Sequence, residues 1–322
     1  MKTALITGVT GQDGAYLAKL LLEKGYKVYA IVRRIVNRNF DNLDYLGITA
    51  EIEYVNADLM DEVSLVNAVK TVRPDEVYNL AAQSFVGASW EQPVITTEIN
   101  AMGTLKLLNA VKLYCPNSKF YQASTSEMFG NSHSDGIQDE NTPFHPRSPY
   151  AISKLFSYWI TVNYKESYGM YCTNGILFNH ESPIRGKEFV TRKITDGVAR
   201  IKLGLEKEIF LGNLDSKRDW GFAGDYVEAM YLMMQQDEAD NYIVSTGETH
   251  SIRDFLDLAF KHVGIDDWSE YVKIDPRFKR PAELFTLQGS NSKAKDKLGW
   301  EPKVRFEELV SMMMEADLKR LG

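Results

Sequence analysis

The sequence predicts an α/β protein, a doubly wound parallel sheet joined to a smaller, C-terminal α/β unit. Two observations carry the sheet. Short apolar runs of strand length alternate with helix-length amphipathic stretches through the first half of the chain, and strands that alternate with helices build parallel sheets. The first run also ends in a glycine-spaced turn that opens a helix. The smaller unit rests on a third observation. Beyond residue 178 the alternation breaks down, yet a chain of 322 residues still has length for a second core.

The elements follow in order. Ala4, Leu5 and Ile6 form the first strand, and residues 15–24 a helix closed by Gly25 in the position after its cap. Strands follow at 27–32, 52–55, 77–80, 120–123 and 175–178, with helical patterns between them at 101–113 and 150–168. In the second half, 191–203 and 225–235 read as helices and 209–211 as a strand. Ser251 with Asp254 makes a capping box for a helix through Phe260. A short helix over 292–298 stops at Gly299, and 310–321 is a final amphipathic helix whose Met312, Met313 and Met314 fill core.

Composition removes several classes. A net charge of -7 argues against nucleic acid as a partner. Cys115 and Cys172 form no CxxC and no zinc spacing, and the five histidines show no ligand spacing, so no metal is expected. The N-terminus has no signal-peptide pattern and no window approaches a membrane span. A cytoplasmic protein with reduced thiols is expected.

In a doubly wound sheet, ligands bind at the carboxyl ends of the strands. The first such end is Thr7-Gly8-Val9-Thr10-Gly11-Gln12-Asp13-Gly14. Glycines at this spacing allow a tight turn and close backbone approach to a pyrophosphate, and the helix that follows offers N–H groups and a positive dipole end. A glycine pattern alone can also be a structural turn, but its place between the first strand and the first helix leads us to expect a dinucleotide site. An acid at the end of the second strand would bind a ribose 2′-OH, whereas arginine suits a 2′-phosphate. Arg33 and Arg34 stand there, with Arg38 beyond, so the expected cofactor is NADP. Asp58 and Leu59 after the third strand suit adenine. Leu80, Ala81, Ala82, Gln83 and Ser84 after the fourth offer small-residue backbone along the ribose and diphosphate.

Ser148 and Pro149 open a helix as cap and first residue. Tyr150 and Lys154 are four apart and share one face. A phenol near pKa 10 is a poor base, but an ammonium and a positive nicotinamide ring would favour phenolate. The pair is therefore expected to oxidise a substrate hydroxyl. The fifth strand ends in Thr125-Ser126-Glu127. A carboxylate there suggests a second proton transfer, although the residues alone also allow an exposed loop position for Glu127.

At these residues the chain resembles the extended short-chain dehydrogenase/reductases and, among them, the GDP-mannose 4,6-dehydratases. The likeness covers nearly the whole chain. Its most specific stretches are Phe178-Asn179-His180-Glu181-Ser182-Pro183, Phe189-Val190-Thr191-Arg192-Lys193 and Arg218-Asp219-Trp220-Gly221. The resemblance implies a redox-neutral dehydration. Tyr150 would deprotonate the C4 hydroxyl, Thr125 would bond near O4, and Glu127 would remove the C5 proton and protonate the departing C6 oxygen. His180 and Arg185 would contact the cofactor. Ser84, Ser126, Glu127, Asn179, Val190, Lys193, Arg218, Arg280 and Glu283 would line the GDP-sugar site. Residues 1–178, with 216–240 returning, would hold NADP, and 179–215 with 241–322 the GDP-sugar. The loop at 33–38 would reach a neighbouring subunit, which implies a homodimer or homotetramer. This chain departs from the pattern at 35–40, where the family carries a serine-rich stretch, and at Ile95, where many members have tyrosine. Rival readings are a nucleotide-sugar 4-reductase or 4-epimerase, which needs no Glu127, a dehydratase of a GDP-heptose, and a non-catalytic dinucleotide sensor.

Overall fold

In the computed structural model, which describes residues 1–34, 39–131, 136–278, 282, 284 and 286–322, the first apolar run forms β1 (Thr3–Thr7), with Ala4, Leu5 and Ile6 fully buried. Burial on both faces explains why the run is unbroken rather than alternating. α1 (Gln12–Glu23) follows and ends where Gly25 takes a left-handed φ of 79°. The alternation continues through β2 (Lys27–Val32), α2 (Asp41–Leu46), β3 (Glu53–Asn56), α3 (Glu62–Val72) and β4 (Glu76–Asn79). Two short helices, α4 (Val86–Glu91) and α5 (Pro93–Thr97), lead to α6 (Gly103–Tyr114), β5 (Lys119–Thr125), α7 (Pro149–Tyr168) and β6 (Cys172–Leu177). Ser148 caps α7 by accepting the Ala151 N–H, and Pro149 takes the first helical position, where its missing N–H costs nothing.

The second half holds β7 (Asn179–Glu181), α8 (Val190–Lys202), β8 (Ile209–Leu211), β9 (Lys217–Arg218), β10 (Trp220–Phe222) and α9 (Ala223–Gln235). Then come β11 (Tyr242–Val244), β12 (His250–Ser251), α10 (Ile252–His262), β13 (Val272–Ile274), β14 (Thr286–Leu287), α11 (Ser292–Leu298) and α12 (Phe306–Leu321). The capping box at Ser251 and Asp254 is formed in both directions.

Among the described residues the main sheet is parallel and seven-stranded, in the order β11-β6-β5-β4-β1-β2-β3. The strand order reverses between β1 and β4, so the crevice of a doubly wound fold opens there. α1 and α9 cover one face, and α3, α6 and α7 the other. Two elements differ from the sequence expectation. Tyr242–Val244, expected in the substrate half, pairs with β6 as the edge of the main sheet. Three residues are too few to show a period. Ahead of α6, Glu98–Met102 is a π-helical stretch, which a 3.6-residue pattern does not register.

A second core lies between α8, α10 and α12, where Phe255, Phe260, Leu309, Met313 and Met314 are fully buried. One ion pair crosses it. Arg192 Nη2 lies 2.7 Å from Asp317 Oδ1, with the side chains 5% and 1% exposed. Thr195 Oγ1 donates to the same carboxylate at 2.7 Å, and Arg320 pairs with it too. Arg192 Nη1 also donates to the carbonyls of Pro183 and Arg185, at 3.0 and 2.8 Å. The last helix thus holds the segment that leads Arg185 toward the crevice. Asp317→Ala would strand a buried guanidinium. It should destabilise this core by about 3–5 kcal/mol, read as an earlier denaturant transition. An unchanged transition would show that the pair holds nothing.

Candidate active site

The crevice begins at the turn after β1. Gly8 has a φ of 77°, and a Cβ there would stand 2.8 Å from the Ala81 nitrogen. A Cβ on Gly14 would stand 2.2 Å from the Gly8 oxygen. The two glycines therefore let three backbones meet: the turn, the start of α1 and the chain leaving β4. No side chain caps α1, so its first N–H groups and dipole end are offered to the crevice. Thr7 Oγ1 donates to Asn79 Oδ1 at 2.8 Å and accepts from the N–H groups of Leu80 and Ala81, both at 3.0 Å. Asn79 Nδ2 continues the ladder to Gln122 Oε1 at 2.8 Å. This is a cradle that fits the diphosphate of a dinucleotide.

A cavity of about 1270 Å³ runs from the turn to the second core. Its lining includes Gly8, Thr10, Gly11, Gln12, Asp13, Gly14, Arg33, Asp58, Leu59 and residues 80–84 at one end. Toward the other lie Thr125, Ser126, Glu127, Tyr150, Lys154, Asn179, His180, Arg185, Val190, Lys193 and Arg218. Arg34 is exposed past the end of β2 and is not part of the lining. Arg38, Arg280 and Glu283 lie outside the described residues. Asp219 faces away. It is buried, accepts from Thr246 and Gly247, and burial pushes its carboxyl up to about 6. Several lining residues had no role assigned from the sequence, among them Phe85, Glu91, Phe189 and Phe278. Phe85 and Phe189 meet edge-on across the cavity, with centroids 6.0 Å apart. Among the described residues no group of three acids, histidines or cysteines could hold a metal ion, and no helix is long and apolar enough to cross a membrane.

Tyr150 and Lys154 stand buried on the first turns of α7. Lys154 Nζ donates to the Ala123 carbonyl at 2.9 Å. Burial lowers its ammonium to about 8. Burial also pushes the Tyr150 phenol well above its ordinary value. A hydrogen bond with Thr125 works the other way, the Glu127 carboxylate pushes it further up, and the Arg185 cation pulls it down. Thr125, Glu127, Tyr150 and Arg185 all line this cavity. Thr125 Oγ1 also accepts the Glu127 N–H at 3.3 Å and starts a 3₁₀ turn over Ser126–Phe129, which turns Glu127 into the cavity instead of onto an exposed loop.

Asn100, on the π-helical stretch, had no signal in the sequence. Its Oδ1 accepts the Gln83 N–H at 2.8 Å, and its Nδ2 donates to Gln83 O at 3.1 Å and Ser153 Oγ at 3.0 Å. It ties the chain after β4 to the helix of Tyr150. On the far side the cations are already held. Arg185 Nε lies 3.0 Å from Glu181 Oε2, and its guanidinium sits 3.5 Å over the Phe189 ring. Lys193 Nζ sits 3.4 Å over Phe278. Arg218 Nη1 donates to Leu284 O at 3.1 Å.

Comparison with known proteins agrees along the chain. The family model for GDP-mannose 4,6 dehydratase matches residues 5–313. GDP-mannose 4,6 dehydratase 2 of Arabidopsis thaliana is 53% identical, covering 99% of this chain and 87% of its own. The GDP-mannose 4,6-dehydratase of Yersinia enterocolitica is 48% identical, with 99% and 95% covered. The human GDP-mannose 4,6 dehydratase is 47% identical, with 98% and 91% covered. Among solved structures, the UDP-glucose 4-epimerase of Thermotoga maritima with UDP-glucose has a TM-score of 0.87 at 26% identity, covering 99% of this chain and 100% of its own. The Thermus thermophilus UDP-glucose 4-epimerase with NAD has a TM-score of 0.85 at 28% identity, with 98% of each chain covered.

Left to burial alone, Tyr150 stays protonated, so a cation must favour its phenolate. Lys154→Met should slow oxidation of the substrate hydroxyl at neutral pH by on the order of 10²–10⁴-fold. The rising limb of the rate–pH profile should move to higher pH. A limb that does not move would detach Lys154 from the ionisation of Tyr150.

Proposed function

The chain belongs to the GDP-mannose 4,6 dehydratase family, and from that premise we propose that it converts GDP-D-mannose to GDP-4-dehydro-6-deoxy-D-mannose. It is a hydro-lyase that works on a nucleotide sugar with a nicotinamide dinucleotide. The observation that carries the reaction is that Glu127 lines the same cavity as Thr125 and Tyr150, with its N–H bonded to Thr125 Oγ1. A 4-epimerase or 4-reductase needs the tyrosine and lysine but no base for C5.

The dinucleotide supplies the place where hydride from C4 waits before it returns to C6. Tyr150 takes the proton of the C4 hydroxyl, Lys154 stabilises the charge on the phenol, and Thr125 bonds the C4 oxygen. The resulting ketone acidifies the C5 hydrogen. Glu127 removes that proton and gives it to the C6 hydroxyl, which leaves as water. C5 then regains a proton, balancing the one Tyr150 removed. The sugar loses one water and the reaction has no net redox change.

The glycine turn and residues 80–84 would hold the diphosphate and ribose, with Asp58 and Leu59 beside the adenine. NADP is the reading that Arg33 supports, since it lines the cavity where an acid would select NAD. Lys193 and Arg218 suit the GDP diphosphate, because arginine and lysine make charge-assisted bonds to phosphate. Asn179 and Val190 border the same space, and Arg280 and Glu283 complete the set by resemblance. The division of the chain follows: 1–178 and 216–240 carry NADP, 179–215 and 241–322 the GDP-sugar, with β11 lending its three residues to the first. Two free thiols suit the cytoplasm.

A homodimer, itself able to pair into a tetramer, is supported by α7. Ile152, Phe156 and Trp159 are 57%, 41% and 54% exposed at helical spacing on its outer side, an apolar stripe that a second copy would cover. Trp159→Lys should therefore halve the mass measured by sedimentation. An unchanged mass would place the interface elsewhere.

The reaction itself is tested with GDP-mannose and catalytic NADP⁺. A product lighter by one water, without accumulation of NADPH, is expected. Glu127→Gln should cut its formation by about 10²–10⁴-fold while NADP⁺ stays bound. Full turnover by that variant would return the chain to the epimerases and reductases, and turnover of a GDP-heptose alone would move the substrate.

A further inference from the structure

The glycine turn carries a carboxylate where its ligand is an anion. Asp13 is the second residue of α1, and its Oδ2 lies 2.8 Å from His180 Nε2 on β7. The other imidazole nitrogen, Nδ1, lies 2.7 Å from the Phe178 carbonyl. A carbonyl oxygen only accepts, so Nδ1 bears a proton. An ionised carboxylate also only accepts, so Nε2 bears one too. Burial raises the Asp13 carboxyl, but the charge and hydrogen bond of His180, a hydrogen bond from Gln12 and the Arg185 cation outweigh it and hold it down at about 2. The imidazole is raised in turn by Asp13, against its own burial, so both directions favour a carboxylate paired with an imidazolium. His180 is buried and stacked on Tyr226, with centroids 4.6 Å apart.

Two more bonds join the same elements. Gln12 Nε2 donates to His180 O at 3.1 Å, and Ser182 Oγ donates to Gln12 Oε1 at 2.7 Å. The Gln12 side chain is thus engaged with the segment from β7 to Ser182. Asp13 brings the negative charge that an uncapped helix start favours, but a bare carboxylate there would repel a diphosphate.

We propose that His180 is a positioning residue that acts on the cofactor site through Asp13, cancelling its charge so that the turn accepts a diphosphate, and locking the turn onto β7. The inference rests on the reading of this turn as a dinucleotide site. It differs from a direct contact between His180 and the cofactor in what a double substitution does. In His180→Gln the Asp13 carboxylate loses its paired charge and keeps only the Gln12 amide and the more distant Arg185 cation. In Asp13→Asn the need for a countercharge is gone and His180 relaxes to neutral imidazole. In the double variant two amides replace two charges.

NADP⁺ affinity of the parent, both single variants and the double variant, measured by calorimetry, tests this. His180→Gln should bind at least about ten-fold more weakly. The double variant should regain most of the affinity that His180→Gln loses, a recovery that only coupled residues show. Melting temperatures separate this from lost folding, because both His180→Gln and the double variant lose the stack on Tyr226. The nitrogen-15 shifts of His180 give a second readout. Both ring nitrogens should be protonated at neutral pH in the parent, and only one in Asp13→Asn. A double variant as weak as His180→Gln would make His180 a direct ligand and overturn the proposal. So would unchanged affinity in His180→Gln, or a neutral imidazole in the parent. A parent that binds neither NADP⁺ nor NAD⁺ would overturn the dinucleotide reading itself, and this inference with it.

Discussion

At Gly8 two stretches of backbone pass so closely that no side chain fits between them. The contact joins the turn after β1 to the chain after β4, the two strands between which the sheet reverses its order. Thr7, one residue earlier, extends the contact into a buried ladder through Asn79 to Gln122. Such a ladder is tolerated because each buried group has a partner, and it ties the ends of β1 and β4 to the middle of β5. The cradle of the turn, the floor at 80–84 and β5 are all positioned by it. Any side chain at residue 8 would have to part these strands.

From that fixed edge the chemistry is set by burial. Lys154 is a buried ammonium that donates to a neutral carbonyl, so burial lowers its pKa. Burial raises that of Tyr150, and the charge of the Glu127 carboxylate adds to the effect. Left alone, both groups sit in their less useful protonation balance. A bound nicotinamide ring would supply a positive charge, and such a charge near Tyr150 would favour the phenolate. The cations on the far wall of the cavity are held differently. Glu181, Phe189 and Phe278 fix Arg185 and Lys193 in place, which would lower the cost of ordering them round an anion.

The second core does for the far wall what the ladder does for the near one. α12, the last element of the chain, reaches back through Asp317 and Arg192 to Pro183 and Arg185. β11 returns in the opposite sense, from the second half into the main sheet. The two halves therefore exchange elements rather than sit end to end. Arg218 illustrates the result. It lies on a two-residue strand paired with both β12 and β14, and its place in the cavity depends on three segments far apart in sequence.

What the sequence determined by itself is what local spacing encodes. The glycine turn, the capped start of α7, the Tyr150–Lys154 face and the capping box at Ser251 each lie within a few residues, where backbone sterics and helical period leave one answer. The doubly wound fold follows from the same periods, and the family likeness from several such stretches together. Tertiary structure alone decided the rest. The Asp13–His180 pair spans 167 residues and the Arg192–Asp317 pair 125, and no period connects residues at such distances. Asn100 gained its place from a π-helical stretch, β11 from a neighbour that supplied its pairing, and Glu127 its aim from the 3₁₀ turn that Thr125 begins. In each case the same residue type has a solvated alternative of similar local energy. Only the packed surroundings, which make an unpaired polar group costly, choose between them.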